Sequence, residues 1–449
     1  MEIVIDCIPL IKLFLIFSII VFLQKSIMPV GPAFLSGVII LQLWFPLPLK
    51  KFFAKTLACF SSVQTISLTL VVVLIVSLSH SLKVSGHFDK IVNSLRQYVS
   101  SRRTSVFILP ALIGLLPMPG GAIFSAPMVE EISDTSMLSP AQQAASNHWF
   151  RHVWEYIWPL YPAILLTVQI TGIGLIVFIT ANIPFTVAAI VLGFLLIARK
   201  KHFTSTTSSV SSGGSAAELA HALFPILIVI ISFIVFQLFS SAAAALFFRY
   251  IYPAISTLPG HSVIGFSAPS YIEKSLLIPS ILMGIAFTVA EYPEVGIKKV
   301  FTDKRIPSLV AMIVGLLLFQ EILRSGTAVP ELMNVFTRWS IPLWALAVLL
   351  PFITGLVTGI SVGFVACSFP IIAEAVVCTG NTDSMLPFIA LSYVCGFMGV
   401  IISPLHVCLL LTAKHFEVSL AGVIKQMIIP VIIMLLTGGG MFVLLRLVF

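Results

Sequence analysis

The sequence places five polar side chains that can bind or transfer ions close together: Asn147, His148, Arg151, His152 and Glu155. Arg151 and Glu155 are spaced i,i+4, as are His148 and His152, so each pair is expected to share one face of a helix. Ionisable side chains inside a membrane segment typically mark a substrate or ion pathway. This cluster is the first functional candidate. The alternative interpretation is a structural Arg–Glu pair beside tryptophans at the membrane interface.

The same residue types suggest a second kind of chemistry. His148, His152 and Glu155 are metal-ligand types, so an intramembrane metal-dependent enzyme is an alternative function. The HExxH pattern of zinc proteases is absent, and no third ligand stands out in the sequence. The six cysteines form no CxxC pair, and no nucleotide-binding or GxSxG motif occurs. We therefore expect no metal and no cofactor, and we predict that the protein is not an enzyme.

The elements that must position these side chains are membrane helices. Of the 449 residues, 59% are apolar and 9% are charged, against roughly 25% charged in a soluble domain. The apolar runs are continuous, which is typical of transmembrane helices, so we predict an all-α polytopic membrane protein. The net charge of +8 comes largely from Lys and Arg in short loops between apolar runs. That distribution indicates topology determinants in a lipid bilayer and no nucleic-acid partner.

The two halves of the chain carry matching patterns. Leu109–Gly114 and Leu350–Gly355 both fit LPxxxG, and the segments that begin at Ile157 and Ile402 both fit IxPLxxxxLLT. Matches in the same order at similar spacing predict a duplication. A Ser/Thr/Gly-rich linker at 203–217 is typical of a flexible connection. It would join a first repeat over 1–202 to a second over 218–449.

Each repeat is predicted to contain about five transmembrane helices and one re-entrant hairpin, at about 105–132 in the first and about 343–378 in the second. Each arm of the first hairpin has about 13 residues, or roughly 19 Å of helix, which is too short for a core of about 30 Å. Five crossings in each repeat invert the second repeat relative to the first. The distribution of Lys and Arg places the N-terminus outside.

Four breaks in the apolar helices are predicted to meet near the middle of the membrane: two hairpin tips and two broken helices. Irregular backbone at that depth is tolerated where it lines a cavity or is buried, and such breaks form the substrate site of inverted-repeat transporters. Kinks used only for packing are the alternative. The candidate solute-binding residues all lie at or beside one of these breaks: Pro119, Gly120, Gly121, Ser125, Thr354, Gly355, Thr358, Gly359, Ser361, Pro159, Tyr161, Ser403 and Pro404.

The hairpins also predict the charge of the solute. The second half-helix of each hairpin begins near Gly121 or Ser361, so its free amides and its positive dipole end would point at the centre. Each such end favours an anion by up to about 1 kcal/mol at exposed sites. We therefore predict a small anionic solute, such as an organic acid or another carboxylate-like molecule.

Residues 117–127, PMPGGAIFSAP, followed by residues 147–162, resemble the domain of unknown function 401 family of prokaryotic membrane proteins. The resemblance covers nearly the whole chain. It implies membership of the ion transporter superfamily, beside gluconate permeases and citrate and dicarboxylate symporters. It also implies an elevator-type secondary transporter with the hairpins in the moving domain, often a homodimer, in the cytoplasmic (inner) membrane of a prokaryote.

The prediction of the coupling ion rests on a difference between this sequence and the dicarboxylate symporters. Neither hairpin tip carries the Ser-Asn-Thr triplet of the dicarboxylate symporters, so their sodium ligands are not reproduced. We predict proton coupling through Glu155, assisted by His152 or by His406 in the matching broken helix, because these groups can titrate near neutral pH. Coupling to Na⁺ is the alternative. The residues assigned to charge and coupling are Asn147, Arg151, His152, Glu155 and His406.

Overall fold

The protein is a bundle of helices. The computed structural model describes residues 2–98, 102–115, 121–133, 138–197, 215–246 and 275–448. Within these ranges seven helices are long and apolar enough to cross a membrane, and an eighth span results if the bent pair Leu277–Glu291 and Pro293–Val300 is counted as one. The prediction of an all-α polytopic membrane protein is thereby confirmed. Pro119, Gly120 and the predicted linker up to residue 214 lie outside the described residues.

The described part of the first half contains ten α-helices. In chain order they are α1 Glu2–Ser26, α2 Val30–Trp44, α3 Leu49–Ser61, α4 Val63–Val84, α5 His87–Tyr98, α6 Arg102–Gly114, α7 Ala122–Ile132, α8 Pro140–Arg151, α9 Pro162–Thr171 and α10 Leu175–Leu192. A π-helical turn extends the last of these to Ile197.

The described part of the second half also contains ten. They are α11 Ala216–Leu246, α12 Leu277–Glu291, α13 Gly296–Val300, α14 Ile306–Ser325, α15 Ala328–Arg338, α16 Leu343–Thr358, α17 Ser361–Cys378, α18 Met385–Ile401, α19 Val407–His415 and α20 Leu420–Val448.

Among the described residues, the helices of the two halves follow a similar order. The helix pair α6 and α7 of the first predicted hairpin corresponds to the pair α16 and α17 of the second. The amphipathic helices α5 and α15 precede the hairpins, and short helices α3 and α13 precede the third long helix of each half. Helices α3, α13 and α15 are absent from the predicted elements because they are short and carry charged residues.

The helices pack in two groups, and each group takes members from both halves. Helices α1, α2, α4 and α5 pack with α11, α12 and α14, whereas α6 to α10 pack with α16 to α20. In the first group α2 and α14 approach most closely at Gly31, where an added Cβ would collide with the backbone of Ala311. The polar cluster and both hairpins lie in the second group.

The LPxxxG glycines bring each hairpin against the helix behind it. A Cβ added to Gly114 would collide with the carbonyl oxygen of Arg151, and a Cβ added to Gly355 would collide with that of Gly396. Under the IxPL match, Arg151 and Gly396 are equivalent positions. The motifs matched in sequence therefore make the same backbone contact in both halves.

A second contact repeats in the same way. Trp158 Nε1 donates to the carbonyl oxygen of Leu115 at 2.9 Å, and Ser403 Oγ donates to that of Leu356 at 2.6 Å. Trp158 and Ser403 occupy the same place in the IxPL motif, and each holds the end of the first hairpin helix. The equivalence thus extends from helix order to individual hydrogen bonds.

Candidate functional site

Both predicted helix breaks are present. Helix α8 ends at Arg151 and α9 begins at Pro162. The backbone nitrogen at the start of a helix has no acceptor within the helix, so a proline there costs no hydrogen bond. Helix α18 ends at Ile401 and α19 begins at Val407. Residues 152–161 and 402–406 between them are irregular. We call them break 1 and break 2.

Side chains satisfy the polar backbone around break 1, as burial in a membrane protein requires. Thr186 Oγ1 donates to the carbonyl oxygen of Val153 at 3.1 Å, and Tyr393 Oη donates to that of Glu155 at 2.8 Å. These bonds allow a chain without regular structure to lie inside the helix bundle. The sequence analysis missed both donors, because neither lies in a motif.

The aromatic residues of break 1 bind the last carbonyls of α6. Trp154 Nε1 donates to Ala111 O at 2.8 Å, and Tyr161 Oη donates to Gly114 O at 2.5 Å. Together with Trp158 they anchor the first hairpin to break 1. The ring nitrogens of the tryptophans therefore serve to hold the first hairpin in place.

Both hairpin tips contact break 1 or the residue before it. At the first tip, a Cβ on Gly121 would collide with the guanidinium of Arg151, so the absence of a side chain there lets Arg151 lie against the start of α7. At the second tip, Ser361 Oγ donates to Glu155 Oε2 at 2.6 Å. Arg151 and Glu155 are both buried. Arg151 therefore contacts the first hairpin, whereas Glu155 contacts the second.

This placement corrects the prediction that Arg151 and Glu155 share a helix face. Helix α8 ends at Arg151, and the chain turns from His152 onward. The i,i+4 geometry therefore does not extend to Glu155. For His148 and His152 the prediction holds, because His152 caps the helix and the two ring centroids are 4.7 Å apart.

The second hairpin contacts break 2. Gly359 ends α16 in the left-handed conformation with φ of 65°, which favours glycine. Its carbonyl oxygen accepts from His406 Nδ1 at 2.7 Å. Thr354 and Thr358 are buried, and their hydroxyls donate to carbonyls of their own helix. Pro404 is exposed, so the structure does not bring it into the buried centre.

Of the remaining predicted residues, two are buried at a hairpin or a break, and two make packing contacts between helices. Ser125 is fully buried, and its hydroxyl has no partner among the described residues. Pro159 is buried in break 1. Asn147 instead has a structural contact, because its Nδ2 donates to Thr412 Oγ1 at 3.0 Å and joins α8 to α19. Gly355 serves the packing of α16 on α18.

Three histidines, one from α8 and one from each break, form a compact centre. His148, His152 and His406 each offer a ring nitrogen, and these nitrogens all lie within 4.8 Å of one another. The Nε2 atoms of His152 and His406 are 3.1 Å apart, and Glu155 Oε1 is 3.7 Å from His152 Nε2. The sequence analysis did not group His406 with His148, although the IxPL match had already placed His406 in the second break.

A second polar cluster lies outside the membrane-spanning segments, where α5 meets α11 and α12. His87 bonds to the carbonyl oxygen of Ala222 at 2.8 Å and to the Tyr292 hydroxyl at 3.1 Å. Lys90 Nζ donates to the same hydroxyl at 2.5 Å. Burial lowers the pKa of His87, which favours its neutral form.

Comparison with known proteins identifies a family and similar solved structures. Residues 9–257 and 277–445 match the family described as protein of unknown function, DUF401. The crystal structure of the YdaH transporter of Alcanivorax borkumensis is similar at 14% sequence identity, over 89% of this chain and 89% of that chain, with a TM-score of 0.48. No curated protein matches.

Proposed function

The chain belongs to the DUF401 family of proteins of unknown function, and from that premise we propose that it is a secondary transporter of a small anionic solute. The observation that carries the proposal is the contact of both hairpin tips with one buried segment. Gly121 lies against Arg151, and Ser361 binds Glu155. A solute in that place would be held by groups from both halves of the chain.

The charge of the proposed solute follows from Arg151 and the two helix starts. A guanidinium stays protonated even when buried, and Arg151 lies where α7 begins. Helices α7 and α17 both start at the tips, so both positive dipole ends face this region. Each contributes up to about 1 kcal/mol toward an anion at an exposed site and up to about 2 kcal/mol when partly buried. An organic acid suits these groups best.

The two helix groups support the proposed mechanism. Every side chain of the site lies in the group formed by α6 to α10 and α16 to α20. Rigid-body movement of that group against the other would carry the solute across the membrane, which is an elevator. The similar order of the described helices in the two halves, with the matching contacts of Gly114 and Gly355, supports two inverted-topology repeats. Placement in the ion transporter superfamily, a homodimeric state and the prokaryotic inner membrane are parts of the same proposal.

Coupling is proposed at the contact between Glu155 and His152, which in turn contacts His406. The carboxylate of Glu155 lies between the Ser361 hydroxyl and the His152 ring, so a proton taken up there would alter the contact with the second hairpin tip. Movement of the tip would then depend on protonation. A proton is favoured over Na⁺ as the coupling ion.

A metal-dependent intramembrane enzyme is the second candidate. One observation favours it: His406 supplies the third nitrogen that the sequence pattern lacks. An enzyme would also need an activated nucleophile at an open metal position. The two candidates separate experimentally, because an enzyme converts its substrate whereas a transporter returns the solute unchanged.

The test begins with a thermal-shift screen of the purified protein against carboxylates, sugar acids, amino acids and oxyanions, since a bound ligand raises stability. A stabilising solute is then offered to proteoliposomes under separately imposed proton and sodium gradients. Uptake driven by the proton gradient and lost in Glu155→Gln supports the proposal. Full uptake driven by sodium alone, together with normal transport by Glu155→Gln, contradicts the coupling. Chemical conversion of the solute contradicts the transporter.

A further inference from the structure

The three-histidine centre has a hydrogen-bond pattern that fixes the form of each ring. His152 Nδ1 lies 2.6 Å from the carbonyl oxygen of His148, and His406 Nδ1 lies 2.7 Å from that of Gly359. A carbonyl oxygen only accepts, so each Nδ1 must carry the hydrogen. In a neutral ring the other nitrogen, Nε2, then carries a lone pair.

These two lone pairs face each other. The Nε2 atoms of His152 and His406 are separated by 3.1 Å, the length of a hydrogen bond, yet neither neutral ring has a hydrogen to donate there. The buried Cys408 thiol also bonds to both rings, but a single S–H can donate to only one of the two lone pairs, and a cation between the nitrogens satisfies both. Either a proton or a metal ion can supply that positive charge.

The ring of His148 distinguishes a shared proton from a bound metal ion. His148 Nε2 lies 3.0 Å from the carbonyl oxygen of Ile401, so Nε2 carries the hydrogen and Nδ1 carries the lone pair. His148 is fully buried, and its Nδ1 has no hydrogen-bond partner among the described residues. A proton shared by His152 and His406 leaves this third acceptor unsatisfied. A metal ion satisfies all three.

We propose that His148, His152 and His406 bind one divalent transition-metal ion of the zinc class. Zinc binds histidine nitrogens at about 2.0–2.1 Å, which places two ligand nitrogens of a tetrahedral ion roughly 3.3 Å apart; the His152–His406 pair already has that separation. Donation of the second ring nitrogen to a backbone carbonyl is the usual support for a metal-binding histidine. All three rings have it.

The fourth position of a tetrahedral ion is left to water, because the group of mutually close ligand atoms contains the three histidines without Glu155; Glu155 lies beside this group. Its Oε1 lies 3.7 Å from His152 Nε2, while its Oε2 accepts from Ser361 at the second hairpin tip. Three neutral imidazoles give a ligand set that suits zinc, cobalt or nickel. Because His406 comes from break 2, the ion ties the two halves of the chain together at the site.

This inference goes beyond the proposed transport function and does not depend on it. The metal and a proton use the same lone pairs, so bound metal is expected to inhibit transport. Binding itself is measured on protein in detergent, without any solute. Failure to bind metal leaves the transport proposal intact, and failure to transport leaves the metal site intact.

The experiment uses the full-length protein, stripped with a chelator and titrated with Zn²⁺ and Co²⁺. We expect close to one ion per chain by elemental analysis, and with Co²⁺ the intense visible absorption of a tetrahedral site. His406→Gln should weaken binding at least about 100-fold, since ligand removal should exceed the 10–100-fold cost of a supporting change. His221→Gln, which removes an exposed histidine, should bind as the wild type does.

Two results would overturn the site. One is wild-type protein that retains no stoichiometric Zn²⁺ or Co²⁺ at micromolar concentration. The other is a His406→Gln protein that binds Co²⁺ with unchanged affinity and spectrum. If His406→Gln does not fold, as judged by size-exclusion chromatography, His148→Gln replaces it, and the wild-type titration decides in either case.

Discussion

The substitution Gly355→Ala tests the contact that positions the second hairpin. Gly355 lies inside α16, and an added Cβ would collide with the carbonyl oxygen of Gly396 and lie 3.2 Å from the amide nitrogen of Val400. Both atoms belong to the backbone of α18. Because no side chain can rotate out of the way, the two helices must separate to accept the methyl group.

The expected change in the free energy of unfolding is the difference between a packing cost and a gain in helix propensity. Overpacking a well-packed interior costs about 1–3 kcal/mol, whereas alanine in a helix interior is favoured over glycine by about 0.5–1 kcal/mol. We therefore expect Gly355→Ala to lower the free energy of unfolding by roughly 1–2 kcal/mol. Gly439→Ala is the matched control, because no atom lies within 4 Å of its added Cβ. It should gain about 0.5–1 kcal/mol.

Denaturant unfolding in detergent, followed by tryptophan fluorescence, measures both variants. Gly114→Ala is expected to lose as much as Gly355→Ala, because its Cβ would collide with the equivalent carbonyl oxygen, that of Arg151. The packing described for the hairpins is refuted if Gly355→Ala unfolds at the wild-type denaturant concentration or above while Gly439→Ala is stabilised as expected.

Three further predictions concern single side chains. Ser361→Ala removes a hydrogen bond to a buried carboxylate, worth about 1.5–3 kcal/mol when charged, and should lower uptake roughly tenfold or more. Ser368→Ala, whose hydroxyl only bonds within α17, should transport normally; equal loss in both would contradict a specific role for Ser361. Burial lowers the pKa of His87, so the neutral ring stabilises the folded state fully above the unfolded pKa of about 6.5. This stabilisation is lost as the pH falls below that value. The difference in Tm between wild type and His87→Gln should shrink from about pH 7.5 to about pH 5.5, and a difference that grows would be contradictory. Arg305 lowers the pKa of Asp303, so that stabilisation is present above about pH 3.9 and lost as the pH falls through the folded value. Asp303→Asn should lower Tm at about pH 7, and this difference in Tm should shrink as the pH falls below about 3.9; a constant difference in Tm would refute the prediction.

The sequence was sufficient to predict the two helix breaks. Proline and glycine interrupt apolar runs that are otherwise long enough to span a bilayer, and a polar backbone at that depth must be held by protein. The breaks at 152–161 and 402–406 follow from Pro159, Pro162 and Pro404. The LPxxxG motif also predicted equivalent glycines, and their role in backbone contact became clear only from the packing of Gly114 and Gly355.

The partners within the site were harder to predict, because they depend on where a helix ends. Spacing placed Arg151 and Glu155 on one face, but α8 stops at Arg151, so the two side chains reach different hairpins. His406 reaches His152 across 254 positions of sequence. The IxPL match aligns His406 with Tyr161, and both side chains bind a carbonyl of a hairpin. That alignment was the signal in the sequence from which the contact of His406 with a hairpin could have been predicted.

The most direct test of the central claim is uptake of labelled carboxylates by proteoliposomes containing wild-type protein, Arg151→Gln or Arg338→Gln. Succinate, citrate, gluconate and glutamate are each compared with an uncharged amide or ester. The account predicts that at least one acid, and not its uncharged analogue, is taken up by the wild type and by Arg338→Gln, and that Arg151→Gln loses this uptake. Uptake of the uncharged analogues alone, or undiminished acid uptake by Arg151→Gln, would contradict an anion site between the two hairpin tips.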